Sequence, residues 1–181
     1  MTVTLTATPV VETERLILRA PEAGDWPAWE AFFTSDRAQY VGGPGDSGQA
    51  WRAFGHIIGH WVLRGWGSFI ATLRADGRPV GQIGPWYPAG WPERELGWTI
   101  WDPAIEGTGI AAEAATAARL HAYRTLGWVT AVSYVDHGNA RSVRLAERLG
   151  CTLEPDAATP RGEPCLVYRH PSPAALGVEA A

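Results

Sequence analysis

Gly107-Thr-Gly109-Ile-Ala-Ala112 sets two glycines one residue apart, directly before an alanine-rich stretch with helical periodicity. Glycine lets several backbone N–H groups converge without side chains in the way, and a helix starting there adds the positive end of its dipole. Such a turn suits a diphosphate, held by the backbone of Gly107, Thr108, Gly109, Ile110, Ala111 and Ala112. Groups able to move protons stand on either side of it in the sequence. Glu95 lies two residues before Gly97 in an apolar run of strand character, so the two share a face, and a carboxylate there can deprotonate an ammonium. Tyr134 and Asp136 alternate with Val135 and point the same way from a later strand, which makes each a second acid/base candidate. Ser142 follows Asn139 by three residues, the spacing of a helix N-cap and its partner, and its hydroxyl either completes that cap or serves as a proton donor.

Composition narrows the chemistry. All 15 basic residues are arginine, which removes Schiff-base lysine chemistry and lysine-dependent phosphate loops. The 19 acidic residues leave a formal charge of −4 and no basic stripe, so neither nucleic acid nor a membrane is an expected partner. His56 and His60 occupy adjacent helical turns, as metal-binding pairs do, but neither a zinc-protease glutamate nor a third ligand accompanies them; they read as a helix-surface pair, and no metal is expected. Cys151 and Cys165 lack metal-ligand spacing and read as reduced, buried thiols. The segment from Gly107 to Ala112 also fits the dinucleotide fingerprint Gly-x-Gly-x-x-Gly/Ala, with Asp136 as ribose ligand. Against that reading, Asp102-Pro-Ala-Ile-Glu106 separates the glycines from the strand that should feed them, and one helical crossover is too few for a doubly wound fold.

Positioning these groups takes an α/β chain with one core, which 181 residues at 46% hydrophobic can supply. A first strand fits residues 12–20, and a helix begins near Asp25 and Pro27 and carries Trp26, Trp29, Phe32 and Phe33 at helical spacing. After a glycine-rich loop at 41–48, a second helix is expected over 49–64. Strands at 67–73, 79–84 and 95–101 form an antiparallel meander, with a turn at Asp76-Gly77. A helix at 109–126, a strand at 130–135, a helix at 140–149 closed by Gly150, and two terminal strands complete the pattern. The expected architecture is a single α/β domain over 1–173, a mixed sheet of six to seven strands flanked by about four helices, with a loose tail at 174–181. Met1 to Val11 lacks the features of a signal peptide and no segment reaches membrane-spanning length, so the expected location is the cytoplasm.

Four stretches carry a further pattern: Glu12-Thr-Glu-Arg-Leu-Ile-Leu-Arg19, Pro79-Val-Gly-Gln-Ile-Gly84, Glu106-Gly-Thr-Gly109-Ile-Ala111, and Asn139-Ala-Arg-Ser142 with Leu145-Ala-Glu-Arg-Leu-Gly150-Cys151. In this order they resemble the GNAT family, in particular the branch of the ribosomal-protein-alanine N-acetyltransferases. The third stretch matches the family's Gln/Arg-x-x-Gly-x-Gly/Ala signature except at Glu106, and Cys151 replaces an aromatic residue usual after Leu-Gly. The resemblance covers most of residues 12–169. It implies a GNAT fold splayed by a bulge at the strand 97–101, with acetyl-CoA as co-substrate, no metal, and direct transfer of the acetyl group to a primary amine. It further implies that Trp98, Thr99 and Ile100 pair with pantetheine, an N–H at Trp98 or Thr99 facing the acetyl carbonyl. Asn139 and Ser142 then lie against coenzyme A, Ser142 near its sulfur. A protein N-terminus and a small molecule both stand as acceptors. Trp26, Trp29, Trp51, Trp86, Tyr87 and Trp91 fall in the acceptor-side segments, where they fill core, line a pocket, or both. A homodimer, and a non-catalytic coenzyme A sensor of the same fold, stay open.

Overall fold

A computed structural model describes residues 4–179. The chain opens with a hairpin in place of the single strand expected over residues 12–20. β1 (Val11–Glu12) and β2 (Leu16–Arg19) pair antiparallel, and the Thr13 hydroxyl accepts the Leu16 N–H at 3.0 Å across the turn. α1 (Trp26–Phe33) and α2 (Ser47–Arg64) follow. α2 starts two residues before its expected position because Asp46 caps it. Asp46 Oδ1 accepts the Gln49 N–H at 2.7 Å and Gln49 Oε1 accepts the Asp46 N–H at 2.8 Å, a reciprocal capping box. The meander β3 (Phe69–Leu73), β4 (Pro79–Trp86) and β5 (Glu95–Ile100) leads to α3 (Ile110–Arg124), β6 (Val132–Val135), α4 (Ala140–Arg148), β7 (Thr152–Leu153) and β8 (Leu166–Arg169).

These eight strands form one sheet in the order β1-β2-β3-β4-β5-β6-β8-β7, antiparallel throughout except where β5 meets β6. Alternation along β3 builds two cores: Phe69 and Ala71 face α3, whereas Ile70 faces Trp29, Phe32, Phe54 and Ile57 of α1 and α2. Each such fully buried large side chain contributes on the order of 2 kcal/mol. Small residues on α3 allow close approach to the sheet, with Ala114, Ala118 and Ala122 wholly buried. At Gly84, whose φ is +131°, a Cβ would meet Ala118 Cβ at 3.5 Å and Phe69 at 3.2 Å. A glycine is required there by both the backbone and the helix above it.

The segment expected to be a loose tail is docked over its described part. Residues 174–176 make a 3-10 turn, Leu176 and Val178 pack onto Tyr123 and Trp128, and the Tyr123 hydroxyl donates to Pro171 O at 2.8 Å. Apolar side chains on a short Pro/Ala-rich segment were enough to hold it. Both cysteines are free thiols and only partly buried; burial pushes the Cys151 thiol up to about 11. Among the described residues no helix is long and apolar enough to cross a membrane.

Candidate active site

β5 pairs with β4 along its whole length, from Trp86↔Glu95 to Gly81↔Ile100, with no register shift. Its other edge meets β6 at one bridge, Glu95↔Val132, after which the strands part. In a continued parallel ladder the Leu96 C=O would accept the Tyr134 N–H. Instead Ser133 Oγ donates to Leu96 O at 2.6 Å, and the Tyr134 N–H favours the Glu95 carboxylate. His170 Nε2 backs Ser133 Oγ at 2.9 Å from the neighbouring strand end. The bulge expected in β5 is therefore absent, and side chains terminate the ladder in its place. The register shift in the meander lies between β3 and β4, at Ala71 and Thr72 opposite Gly81 and Pro79.

Trp101 N–H donates to Val80 O at 2.8 Å, which fixes the phase of β5. Alternation then turns the N–H and C=O of Gly97 and Thr99 towards β4, and those of Trp98 and Ile100 into the gap. Arg37 Nη2 reaches Ile100 O at 3.0 Å from that side, as this phase requires. Of the two N–H groups named for an acetyl carbonyl, that of Trp98 opens into the gap and that of Thr99 turns to β4; the Thr99 hydroxyl accepts the Trp101 indole N–H at 3.0 Å. The gap opens on a groove of about 480 Å³ that runs from Trp98 to Ala112, with Asn139 and Ser142 on its far wall.

At the end of this groove Gly107 and Gly109 hold φ of +75° and +85°, the left-handed region that favours glycine. Thr108 and Ile110 do not present side chains to the groove. The Thr108 N–H and hydroxyl both bond Ile105 O, at 3.3 and 2.6 Å, so Thr108 shapes the turn, and the Ile110 side chain anchors α3 in the core. Among the described residues the N–H groups of Gly107, Gly109, Ile110, Ala111 and Ala112 donate to no protein acceptor. Such a cluster at a helix N-terminus is satisfied by an anion. Arg15 braces the turn from outside, through Nη1 to Thr108 O at 2.9 Å and Nε to Glu113 Oε2 at 2.6 Å. Sequence reasoning missed this brace, because no local pattern links residues so far apart.

A second cavity, about 590 Å³, lies on the opposite side of Trp98 and Ser142 and contains Glu95, Tyr134 and Asp136. Glu95 and Gly97 share a face as expected: a Cβ on Gly97 would meet Glu95 Oε1 at 3.3 Å. Burial raises the Glu95 carboxyl to about 7, against the opposing pull of the Trp91 indole, which donates to Oε2 at 2.7 Å, and of the Tyr134 N–H. Tyr134 has a buried hydroxyl in no hydrogen-bond geometry, and burial raises it to about 12; the Glu93 backbone is near enough to oppose this weakly. Asp136 is exposed, and its Oδ1 accepts the Gly138 N–H at 2.7 Å, shaping the turn into α4. Ser142 joins the Asn139 cap through its backbone rather than its hydroxyl. Its N–H donates to the Asn139 cap at 3.1 Å, while its Oγ accepts the Trp98 indole N–H at 3.2 Å, leaving its own hydrogen free to donate.

The sequence model of the acetyltransferase (GNAT) domain matches residues 15–152. The chain belongs to the GNAT acetyltransferase family. An acetyltransferase from Agrobacterium tumefaciens strain C58 is 40% identical, with 95% of this chain and 99% of that one covered and a TM-score of 0.85. A Bordetella pertussis protein classed with the GNAT acetyltransferases is 26% identical, with 90% and 99% covered and a TM-score of 0.74. An aminoglycoside acetyltransferase solved with coenzyme A shares the fold at 16% identity, with 90% and 97% covered and a TM-score of 0.73.

In this GNAT chain the aromatic residues divide by location. Trp29, Trp86 and Trp91 line the second cavity, whereas Trp26 and Trp51 meet edge-on at 5.0 Å outside both cavities, with Trp51 64% exposed. His60, expected on a helix surface, is buried instead. Its Nδ1 lies 2.9 Å from Trp66 O, its Nε2 accepts the Tyr87 N–H at 2.9 Å, and its ring stacks on Trp86 at 4.6 Å. Those two partners define a neutral ring with the proton on Nδ1. His60 thereby ties α2 to the loop that carries Trp91.

Proposed function

We propose that the protein transfers the acetyl group of acetyl-CoA to a primary amine, of a protein N-terminus or a small molecule, by direct attack in a ternary complex in the cytoplasm. The observation that carries this reading is Glu95: a carboxyl raised to about 7, standing in one cavity, beside a strand whose Trp98 N–H opens into the other. The residues present fit coenzyme A. Unpaired N–H groups at the N-terminus of α3 suit its diphosphate, and the backbone edge that Trp98 turns into the gap suits its pantetheine amides. When bound, acetyl-CoA supplies the acetyl group as a thioester already activated towards amines.

Glu95 takes one proton from the incoming ammonium, and the neutral amine forms its bond to the acetyl carbon as the carbon–sulfur bond breaks. Trp98 N–H faces the place where negative charge gathers on the carbonyl oxygen. The second amine proton ends on the thiol, and Ser142 Oγ–H, with the buried Tyr134 hydroxyl, offers a donor to the departing thiolate. Flat walls at His56, Trp86 and Trp91 suit an acceptor with an apolar or cationic body.

The test is binding followed by turnover. Coenzyme A and acetyl-CoA should raise the melting temperature and NAD should not, and free thiol should appear when acetyl-CoA is mixed with a panel of amines. Binding without thiol release on any amine would replace this reading with a coenzyme A sensor.

A further inference from the structure

Position 106 departs from the GNAT signature, with a glutamate where Gln or Arg is usual, beside a turn built to collect an anion. A bare carboxylate there would repel a diphosphate. It is not bare. Arg37 Nη2 donates to Glu106 Oε1 at 2.5 Å, and Arg141 Nη1 donates to Glu106 Oε2. Partial burial opposes ionisation of Glu106, but Arg37 and then Arg141 more than offset it and hold the carboxyl below its usual range. Three separate segments meet at this carboxylate: the 3-10 turn after α1 (Asp36–Ala38), the glycine turn, and the first turn of α4.

The two guanidiniums are incompletely engaged. Arg37 Nη2 serves both Glu106 and Ile100 O, while its buried Nε has no partner. Arg141 holds Glu106 by one nitrogen and its side chain is 64% exposed. Arg144 and Arg148 line the same groove, and Glu106 is the one acid among the described residues that do. The groove is thus lined by four arginines and a single carboxylate, which two of them hold.

Resting on the reading of this groove as the coenzyme A site, we propose that Glu106 stands in for the diphosphate. In the free protein it holds Arg37 and Arg141 over the turn, and on binding Arg141, with the unused Nε of Arg37, passes to the diphosphate oxygens. Carboxylate and phosphate present a guanidinium with the same kind of paired oxygens, so the exchange needs little rearrangement. The device keeps arginines ordered at an anion site without leaving them to repel one another, and it favours ligands whose phosphate charge can compete with the carboxylate.

Calorimetric titration of coenzyme A into the wild-type chain, Glu106→Gln, Arg141→Gln and the double variant at low salt tests this, with thermal melts run alongside. Arg141 is exposed, so its variant should fold. Arg141→Gln should weaken binding about ten-fold, the loss of one charge-assisted contact. Glu106→Gln should tighten binding about three-fold or more, and Arg141→Gln should cost more in that background, because the arginine no longer leaves a carboxylate to bind. The Arg141→Gln loss should persist with 3′-dephospho-coenzyme A, which keeps the diphosphate. If Glu106→Gln weakens binding, or the two substitutions act independently, the glutamate is only a strut and the proposal fails. A loss that vanishes with the dephospho compound reassigns Arg141 to the 3′-phosphate and also overturns it. Failure of the wild-type chain to bind coenzyme A refutes the reading of the groove itself, a result distinct from all of these.

Discussion

Glu95→Gln should make the protein less active and more stable at the same pH. The carboxyl titrates at about 7 in the folded chain against 4.5 for the unperturbed group. Below about pH 4.5 both states are protonated and the group contributes no difference. Between 4.5 and 7 the unfolded chain releases its proton while the folded chain retains it, so stability falls as pH rises, and above 7 the whole penalty is present. A shift of this size corresponds to about 3 kcal/mol. Glutamine cannot ionise, yet its amide oxygen still accepts the Trp91 indole N–H. At pH 8 the variant should therefore exceed wild type by up to about 3 kcal/mol in denaturant titrations, with the difference closing towards pH 4.5. Catalysis should move the other way. The wild-type kcat/KM should rise with pH through a midpoint near 7, and the variant should lose about 100-fold or more at pH 7. The deficit should shrink at high pH, where the amine loses its proton unaided. A variant with unchanged pH–rate profile would refute Glu95 as base, and one no more stable at pH 8 would refute the burial argument beneath it.

Gly109→Val places a β-branched residue at φ +85° and crowds the turn, so about 1–3 kcal/mol of stability and nearly all coenzyme A binding should be lost, by melting and calorimetry respectively. Ser142→Ala leaves the backbone cap from Asn139 intact but strands the Trp98 indole N–H; a cost of about 1 kcal/mol and a several-fold drop in turnover, with no shift of the pH midpoint, is expected. Gly97→Ala presses a methyl group against Glu95 Oε1 and should lower kcat in steady-state assays while leaving coenzyme A affinity within about two-fold. Burial, then Arg119 and Arg169, hold His170 down to about 3, so it is neutral when folded; its contribution is fully present above about pH 6.5 and is lost as pH falls towards 3. Denaturant midpoints should accordingly drop below pH 6.5, and His170→Gln should flatten that slope.

Local patterns carried most of the architecture and half of the site. Apolar runs between turn signals located β3 to β6, and the Gly107/Gly109 turn announced the start of α3 and the free amides there, because each signal lies within a few residues of the feature it predicts. Glu95 was legible for the same reason, since strand geometry alone puts it on the face of Gly97. Contacts between segments distant in sequence were not legible. Arg15 on Thr108 and Arg37 on Glu106 each join segments more than sixty residues apart. At the turn itself the Ile110 N–H is left without a protein acceptor, as the expected backbone cradle requires, whereas the Thr108 N–H is taken by Ile105 O, a bond that only the folded turn reveals.

The opening in the sheet shows how closely fold and chemistry share residues here. Two strands that pair at Glu95↔Val132 would gain a further hydrogen bond by continuing, worth about 1 kcal/mol, so something must oppose the ladder. Ser133 Oγ satisfies Leu96 O where the strands part, and the Tyr134 N–H lies near enough to the Glu95 carboxyl to oppose the rise in its pKa. Behind Ser133, His170 is 2% exposed and lies 3.4 Å from Arg119 Nη1, which also donates to Leu149 O at the end of α4. The helix that presents Ser142 and the strand that presents Tyr134 are thereby tied to the same buried cluster. Glu95, the proposed base, thus stands at the last bridge before the strands part, beside the gap. Its raised pKa follows from that placement, because burial beside the parting strands draws the carboxylate out of water.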